Sequence, residues 1–196
     1  MELLLKSEAV DRLQRMQSWM RQASVDAVFI VQNADLYYFS GTIQAGLLCL
    51  PAEGDPIHLV QKSLSRAREE SPWDGLLAME NPKKAPDLLA GAGLGRLERV
   101  GLELDVLPVN HYFRYQRVFQ GVEFVDASEA IRRTRMIKSP YEVSFIRRAA
   151  DMLGKAFSEI PGWMRPGVTE LEISARLEGF LRNQGHQGIT RMRGFN

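Results

Sequence analysis

The chain has 196 residues, with 25 Lys and Arg against 24 Asp and Glu, a formal net charge of +1 and hydrophobic residues at 45%. These are ordinary globular values for one domain or one and a fraction, and they exclude disorder, a collagen repeat and a coiled coil for the chain as a whole. One cysteine, Cys49, excludes an internal disulfide and any Cys-rich zinc site, and fits a reducing compartment.

The first helix is expected from Ser7 as cap, with Val10, Leu13, Met16, Met20 and Ala23 at helical spacing. Val25 to Val31 reads as a buried strand. Asn33 or Asp35 then caps a short helix through Leu36-Tyr37-Tyr38-Phe39, ended by Gly41. Ile43–Leu50 and Ile57–Val60 flank a Pro- and Gly-rich turn and read as a hairpin. A charged helix over 63–70, a strand over 73–79 and a helix opened by Pro86 follow. Arg99–Glu103 reads as a strand, Val109–Phe119 as a helix, and Val122–Asp126 as a strand. Strands alternating with helices, plus one hairpin, predict an α/β domain with a mixed sheet flanked by helices, over residues 1–130.

The last third has another character. Residues 1–130 carry 13 basic and 18 acidic side chains, whereas residues 131–196 carry 12 and 6. Residues 131–138 read as a linker. Ser139-Pro140-Tyr141-Glu142 and Thr169-Glu170-Leu171-Glu172 are two capping boxes. Each opens an apolar stripe, the first through Val143, Ile146, Ala150, Leu153, Phe157 and Ile160 and stopped by Pro161-Gly162, the second through Ile173, Leu177, Phe180 and Leu181 and ended by Gly185. Two helices bury such stripes poorly by themselves, so 139–196 reads as the start of a truncated second domain.

Familiar catalytic templates are missing. His58, His111 and His186 share no metal-ligand spacing; His58 reads as structural, and His186, in a loop after Gly185, is the His best placed to meet a ligand. Gly91-Ala92-Gly93-Leu94-Gly95 lacks the Lys-Ser/Thr of a phosphate loop. Cys49 reads as a small buried hydrophobe. The basic residues Arg132, Arg133, Arg135, Lys138, Arg147, Arg148, Arg191 and Arg193 lack interleaved aromatics, so they read as a solvated linker or as charges meeting acidic surfaces, with no nucleic acid expected. No stretch has the length of a membrane span and no signal-peptide core is visible, so no membrane partner and a cytoplasmic location are expected.

The order of the pieces carries a resemblance. Val25-Asp26-Ala27-Val28-Phe29-Ile30 is followed by Asn33-Ala34-Asp35-Leu36-Tyr37-Tyr38-Phe39-Ser40-Gly41. Later come Arg135-Met136-Ile137-Lys138-Ser139-Pro140-Tyr141-Glu142 and Arg165-Pro166-Gly167-Val168-Thr169-Glu170. This resembles the creatinase, aminopeptidase P and prolidase family, the pita-bread metallopeptidases.

The resemblance implies an N-terminal domain that supports homodimer formation and shapes the active site, followed by the first helices of a catalytic domain. Tyr37, Tyr38, Ser40, Gly41 and His186 are the substrate-proximal candidates. The family's ligands for two divalent ions (Mn, Co or Zn), two Asp, one His and two Glu, would lie downstream. No catalytic or metal residue is assigned in this chain, which is expected to be inactive by itself. The full-length protein would hydrolyse Xaa-Pro peptides as a dipeptidase or aminopeptidase. A non-catalytic binding module and a creatinase-like amidinohydrolase are the alternatives the resemblance leaves. At Ile189–Asn196 the two Arg depart from the apolar strand the family has there.

Overall fold

The computed structural model describes residues 3–188, which form two compact units divided between Met136 and Ile137. The expectations for Ile189–Asn196, with Arg191 and Arg193, lie outside the described residues.

The first unit is built on six strands: β1 (Ala27–Ile30), β2 (Gly46–Pro51), β3 (Ile57–Val60), β4 (Leu76–Ala78), β5 (Arg99–Leu102) and β6 (Glu123–Asp126). Their order across the sheet is β4-β3-β2-β1-β5-β6. β2 runs antiparallel to both β1 and β3, while β3–β4, β1–β5 and β5–β6 are parallel, so the expected mixed sheet is present. Asp26 fixes the register at one end, since its Oδ2 accepts the N–H groups of Glu98 (2.7 Å) and Arg99 (2.8 Å).

Alternation along the strands sorts the core into two layers. Ala27, Phe29, Leu47, Cys49, Ile57, Leu59, Val100 and Leu102 face one side and pack with Leu89 of α4 (Ala85–Gly91) and Phe119, which follows α5 (Val109–Val118). The alternate residues Val28, Ile30, Leu48, Leu50 and His58 are equally buried and therefore face the opposite layer. α1 (Lys6–Ala23) packs there on β2 and on α6 (Ser128–Met136). Burial on both faces explains why the central strands read as unbroken apolar runs. Gly46 belongs to this packing: a Cβ there would run into the Leu59 carbonyl oxygen of the neighbouring strand.

Several local expectations need correction. α1 starts at Lys6 with Leu5 at the cap position, so Ser7 lies inside the first turn. α2 (Asn33–Ser40) is capped by neither Asn33 nor Asp35; the Gln32 Oε1 accepts the N–H groups of Ala34 (2.7 Å) and Asp35 (3.1 Å). The charged helix is α3 (Leu64–Glu70), capped by Ser63. α4 begins one residue before Pro86, at Ala85, with Pro86 in its first turn and a 3-10 turn at Pro82–Lys84 leading into it. Most of the expected linker 131–138 is helix, because α6 continues to Met136.

The second unit contains α7 (Pro140–Trp163) and α8 (Glu170–Asn183). Both capping boxes form: Ser139 Oγ accepts the Glu142 N–H while Glu142 Oε2 accepts the Ser139 N–H, and Thr169 and Glu172 repeat the exchange. The helices meet through Trp163 and Phe180, with ring centroids 6.2 Å apart. α7 passes through Pro161 to Trp163, where a stop was expected. Pro161 removes one backbone donor in the last turn, too late to break the helix. Ile146, Leu153, Phe157 and Leu171 remain exposed.

Candidate functional site

Four of the five candidate residues lie on one short stretch, α2 and the turn after it. Gly41 ends α2 with φ of +76° and donates its N–H to the Tyr37 carbonyl. A Cβ at Gly41 would lie 3.1 Å from the Glu70 carbonyl oxygen and 3.1 Å from Pro72. Left-handed backbone and close approach both require glycine here.

The neighbours of Gly41 are built inward. Ser40 is buried, with its Oγ 2.7 Å from the Leu36 carbonyl oxygen. Thr42 Oγ1 donates to Glu70 Oε2 at 2.6 Å. Burial pushes the Glu70 carboxyl up, but the Thr42 hydroxyl and Arg66 together outweigh it and hold the carboxyl below its ordinary range. The Trp73 indole N–H donates to the Phe39 carbonyl at 2.7 Å.

The two tyrosines diverge. Tyr37 is 47% exposed, whereas Tyr38 is buried at 7%. The Arg12 guanidinium lies 4.1 Å from the Tyr38 ring centroid and that of Arg135 lies 5.4 Å from it. Tyr38 donates its hydroxyl to the Thr134 carbonyl at 3.2 Å. Of this stretch, Tyr37 is therefore the aromatic that meets solvent, and Tyr38, Ser40 and Gly41 hold the turn that presents it. His186 is exposed in the second unit, where its Nδ1 accepts the Gly188 N–H at 2.9 Å.

A buried carboxyl pair that the sequence analysis does not single out involves the same helix. Asp35, in the first turn of α2, and Glu103, directly after β5, are both buried, at 0% and 1% exposure. Asp35 pairs with Arg135 of α6. Glu103 Oε2 accepts the N–H groups of Val31 (2.7 Å) and Gln32 (3.0 Å). Burial first, and then the Asp35 carboxyl beside it, hold the Glu103 carboxyl well above the ordinary range. A usable signal was present: each carboxyl stands among apolar residues, in Ala34-Asp35-Leu36 and Leu102-Glu103-Leu104.

Among the described residues, no group of three or more His, Cys, Asp or Glu is arranged to hold a metal ion. The Asp35–Glu103 pair does not fit that task, since a guanidinium and two backbone N–H groups already face its oxygens. His58 is buried, and burial lowers its imidazole to about 4, with the Gln44 backbone acting the other way. Burial raises the Cys49 thiol, which leaves it a packing residue. The members of the basic cluster on α6 are paired within the first unit, Arg135 with Asp35. Arg132 reaches Asp105 at 2.6 Å and Glu129 at 3.0 Å, and Arg133 reaches Glu129 at 2.8 Å. No described helix is long and apolar enough to cross a membrane.

Two family models match the chain in succession. The creatinase/prolidase N-terminal domain matches residues 12–137, and metallopeptidase family M24 matches residues 144–196. An uncharacterized peptidase of Bacillus subtilis is 26% identical over 179 residues, covering 89% of this chain and 49% of that protein. The Xaa-Pro dipeptidase of Pyrococcus horikoshii is 25% identical over 177 residues, covering 89% and 48%. The solved Xaa-Pro dipeptidase from Bacillus anthracis superposes with a TM-score of 0.82 at 22% identity, over 91% of this chain and 50% of that one. The chain thus spans about half the length of the relatives it matches.

Proposed function

The chain belongs to the creatinase/prolidase N-terminal domain family, and from that premise we propose that it is the N-terminal, active-site-shaping region of a metal-dependent Xaa-Pro dipeptidase or aminopeptidase. The observation that carries this reading is the succession of two matches, N-terminal domain and then M24 peptidase, over residues 12–137 and 144–196. The exposed apolar side chains of α7 and α8 support it, because they suit helices that pack against further parts of a catalytic domain.

In that reading the chemistry is supplied downstream. Two divalent ions would activate a water and polarise the scissile carbonyl of an Xaa-Pro bond. The residues described here would serve as frame. Gly41, Ser40 and Tyr38 hold the turn after α2, Tyr37 meets solvent as the substrate-proximal candidate, and His186 is a separate candidate in the second unit. A homodimer is the assembly this role calls for.

The test is to read the coding sequence past Asn196 and assay the product it encodes. Two Asp, one His and two Glu in order, with Mn²⁺- or Co²⁺-dependent hydrolysis of Xaa-Pro dipeptides, are expected. Absence of those ligands would overturn the peptidase reading in favour of a binding module. Creatine turnover without metal would overturn it in favour of an amidinohydrolase. Tyr37→Ala in the active product is expected to raise KM several-fold with kcat little changed.

A further inference from the structure

The buried carboxyl pair is placed where three segments of the first unit meet. Glu103 leaves the end of β5 and, through its Oε2, ties down the Val31 and Gln32 N–H groups that connect β1 to α2. Its Oε1 is equally buried and has no hydrogen-bond donor among the described residues, yet the side chain lies in hydrogen-bonding reach of Asp35. Two carboxylate oxygens in such contact repel unless one of them carries a proton. Asp35 faces Arg135, a permanent cation, so the proton between the two carboxyls is assigned to Glu103. A proton on Glu103 Oε1 would give that buried oxygen a partner.

The same contacts reach the end of α6. Arg135 extends over the Tyr38 ring, and the Thr134 carbonyl accepts both the Tyr38 hydroxyl (3.2 Å) and Arg15 Nη1 (3.0 Å). Thr134 Oγ1 also lies 3.2 Å from Met16 Sδ. The last turn of α6 is therefore held to α1 and α2 by one connected network, and Asp35 is its partner on α2.

We infer that Glu103 is protonated and donates to Asp35, and that this proton latches the last turn of α6 to α2, so that its loss as pH rises releases the turn. The groups facing the pair include Arg135 from α6, Tyr115 from α5 and the two backbone N–H groups before α2. Burial, with the Glu103 charge adding to it and Arg114 opposing, keeps Tyr115 protonated to about pH 12, so it does not titrate in the relevant window. The folded state binds the Glu103 proton more tightly than the unfolded chain does. Its stabilisation is complete below the ordinary carboxylate value of 4.5 and is lost as pH rises toward the raised folded value.

Glu103→Gln separates this from an ordinary buried carboxylate. A glutamine is isosteric with the protonated acid: its carbonyl accepts the Val31 and Gln32 N–H groups and its amide donates to Asp35. Urea unfolding of the intact chain is measured for both forms from pH 5 to pH 9. The folded-to-unfolded ratio of wild type is expected to fall, relative to E103Q, by up to about tenfold per pH unit until the proton is gone. A gap between the two that stays constant across this range would overturn the proposal. Hydrogen exchange at Ile131–Met136, corrected for intrinsic base catalysis, is expected to accelerate with pH in wild type and not in E103Q; unchanged protection in wild type would overturn the latch. Should E103Q fail to fold, infrared spectroscopy of wild type decides: a protonated-carboxyl band that persists above the ordinary carboxylate value of 4.5 is expected, and its disappearance at that value contradicts the proton on Glu103.

Discussion

Phe29 and Phe157 are the same side chain in opposite settings. Phe29 lies on the central strand β1, 1% exposed, with its ring 5.0 Å from that of Phe119. Phe157 lies on the apolar stripe of α7, 60% exposed. The contrast holds for their units. The first unit covers both faces of its sheet with its own helices, whereas the second has helices that are well capped and poorly covered. Caps set where a helix begins; buried area keeps it formed.

The largest expected effect is on the units taken apart. Residues 1–136 alone should keep their sheet and unfold in one cooperative urea transition. Residues 137–188 alone should lose most helical circular dichroism, since two helices joined by little apolar burial are marginal in water. A helical, cooperative 137–188 would break the comparison.

Next come the two phenylalanines. Phe29→Ala should cost about 3–5 kcal/mol in urea unfolding of the intact chain. Phe157→Ala should stay within about 0.5 kcal/mol. Equal losses would mean that both units are covered alike.

Acid sharpens the description of the first core. Burial lowers the folded-state value of His58 to about 4, against an ordinary value of 6.5, so protons favour the unfolded chain. Stability is full above 6.5 and is lost as pH falls toward 4. Relative to His58→Leu, wild type should lose about 3 kcal/mol between pH 7 and pH 4. A difference independent of pH would place His58 in water.

The smallest effect concerns a single backbone angle. Ser24 ends α1 in the left-handed region, at φ of 51°. Ser24→Gly should stabilise by about 0.5–1 kcal/mol in thermal unfolding. A loss of stability would mean that the serine side chain contributes more than the strain it imposes.

What could be read from the sequence follows the range of the interactions. The two capping boxes were legible because donor and acceptor lie three residues apart. The mixed sheet was legible because its strands are apolar runs between turn residues. α6 was not. Its Arg-Arg-Thr-Arg run reads as a solvated linker until Asp105, 27 residues from Arg132, and Asp35, 100 residues from Arg135, are brought against it. The candidate stretch Tyr37-Tyr38-Phe39-Ser40-Gly41 was legible as a motif. Its division into one exposed tyrosine and a buried frame was not, because that depends on Arg12, Thr134 and Trp73 from elsewhere in the fold. The Asp35–Glu103 pair has no local signature beyond a carboxyl among apolar neighbours.

The proposed function makes this chain the frame for a catalytic centre supplied downstream. The most direct measurement is hydrolysis of an Xaa-Pro dipeptide by the purified 196-residue chain with added Mn²⁺ or Co²⁺, with metal binding followed by calorimetry in the same samples. No turnover and no stoichiometric metal binding are expected. Metal-dependent release of proline by this chain would contradict the account.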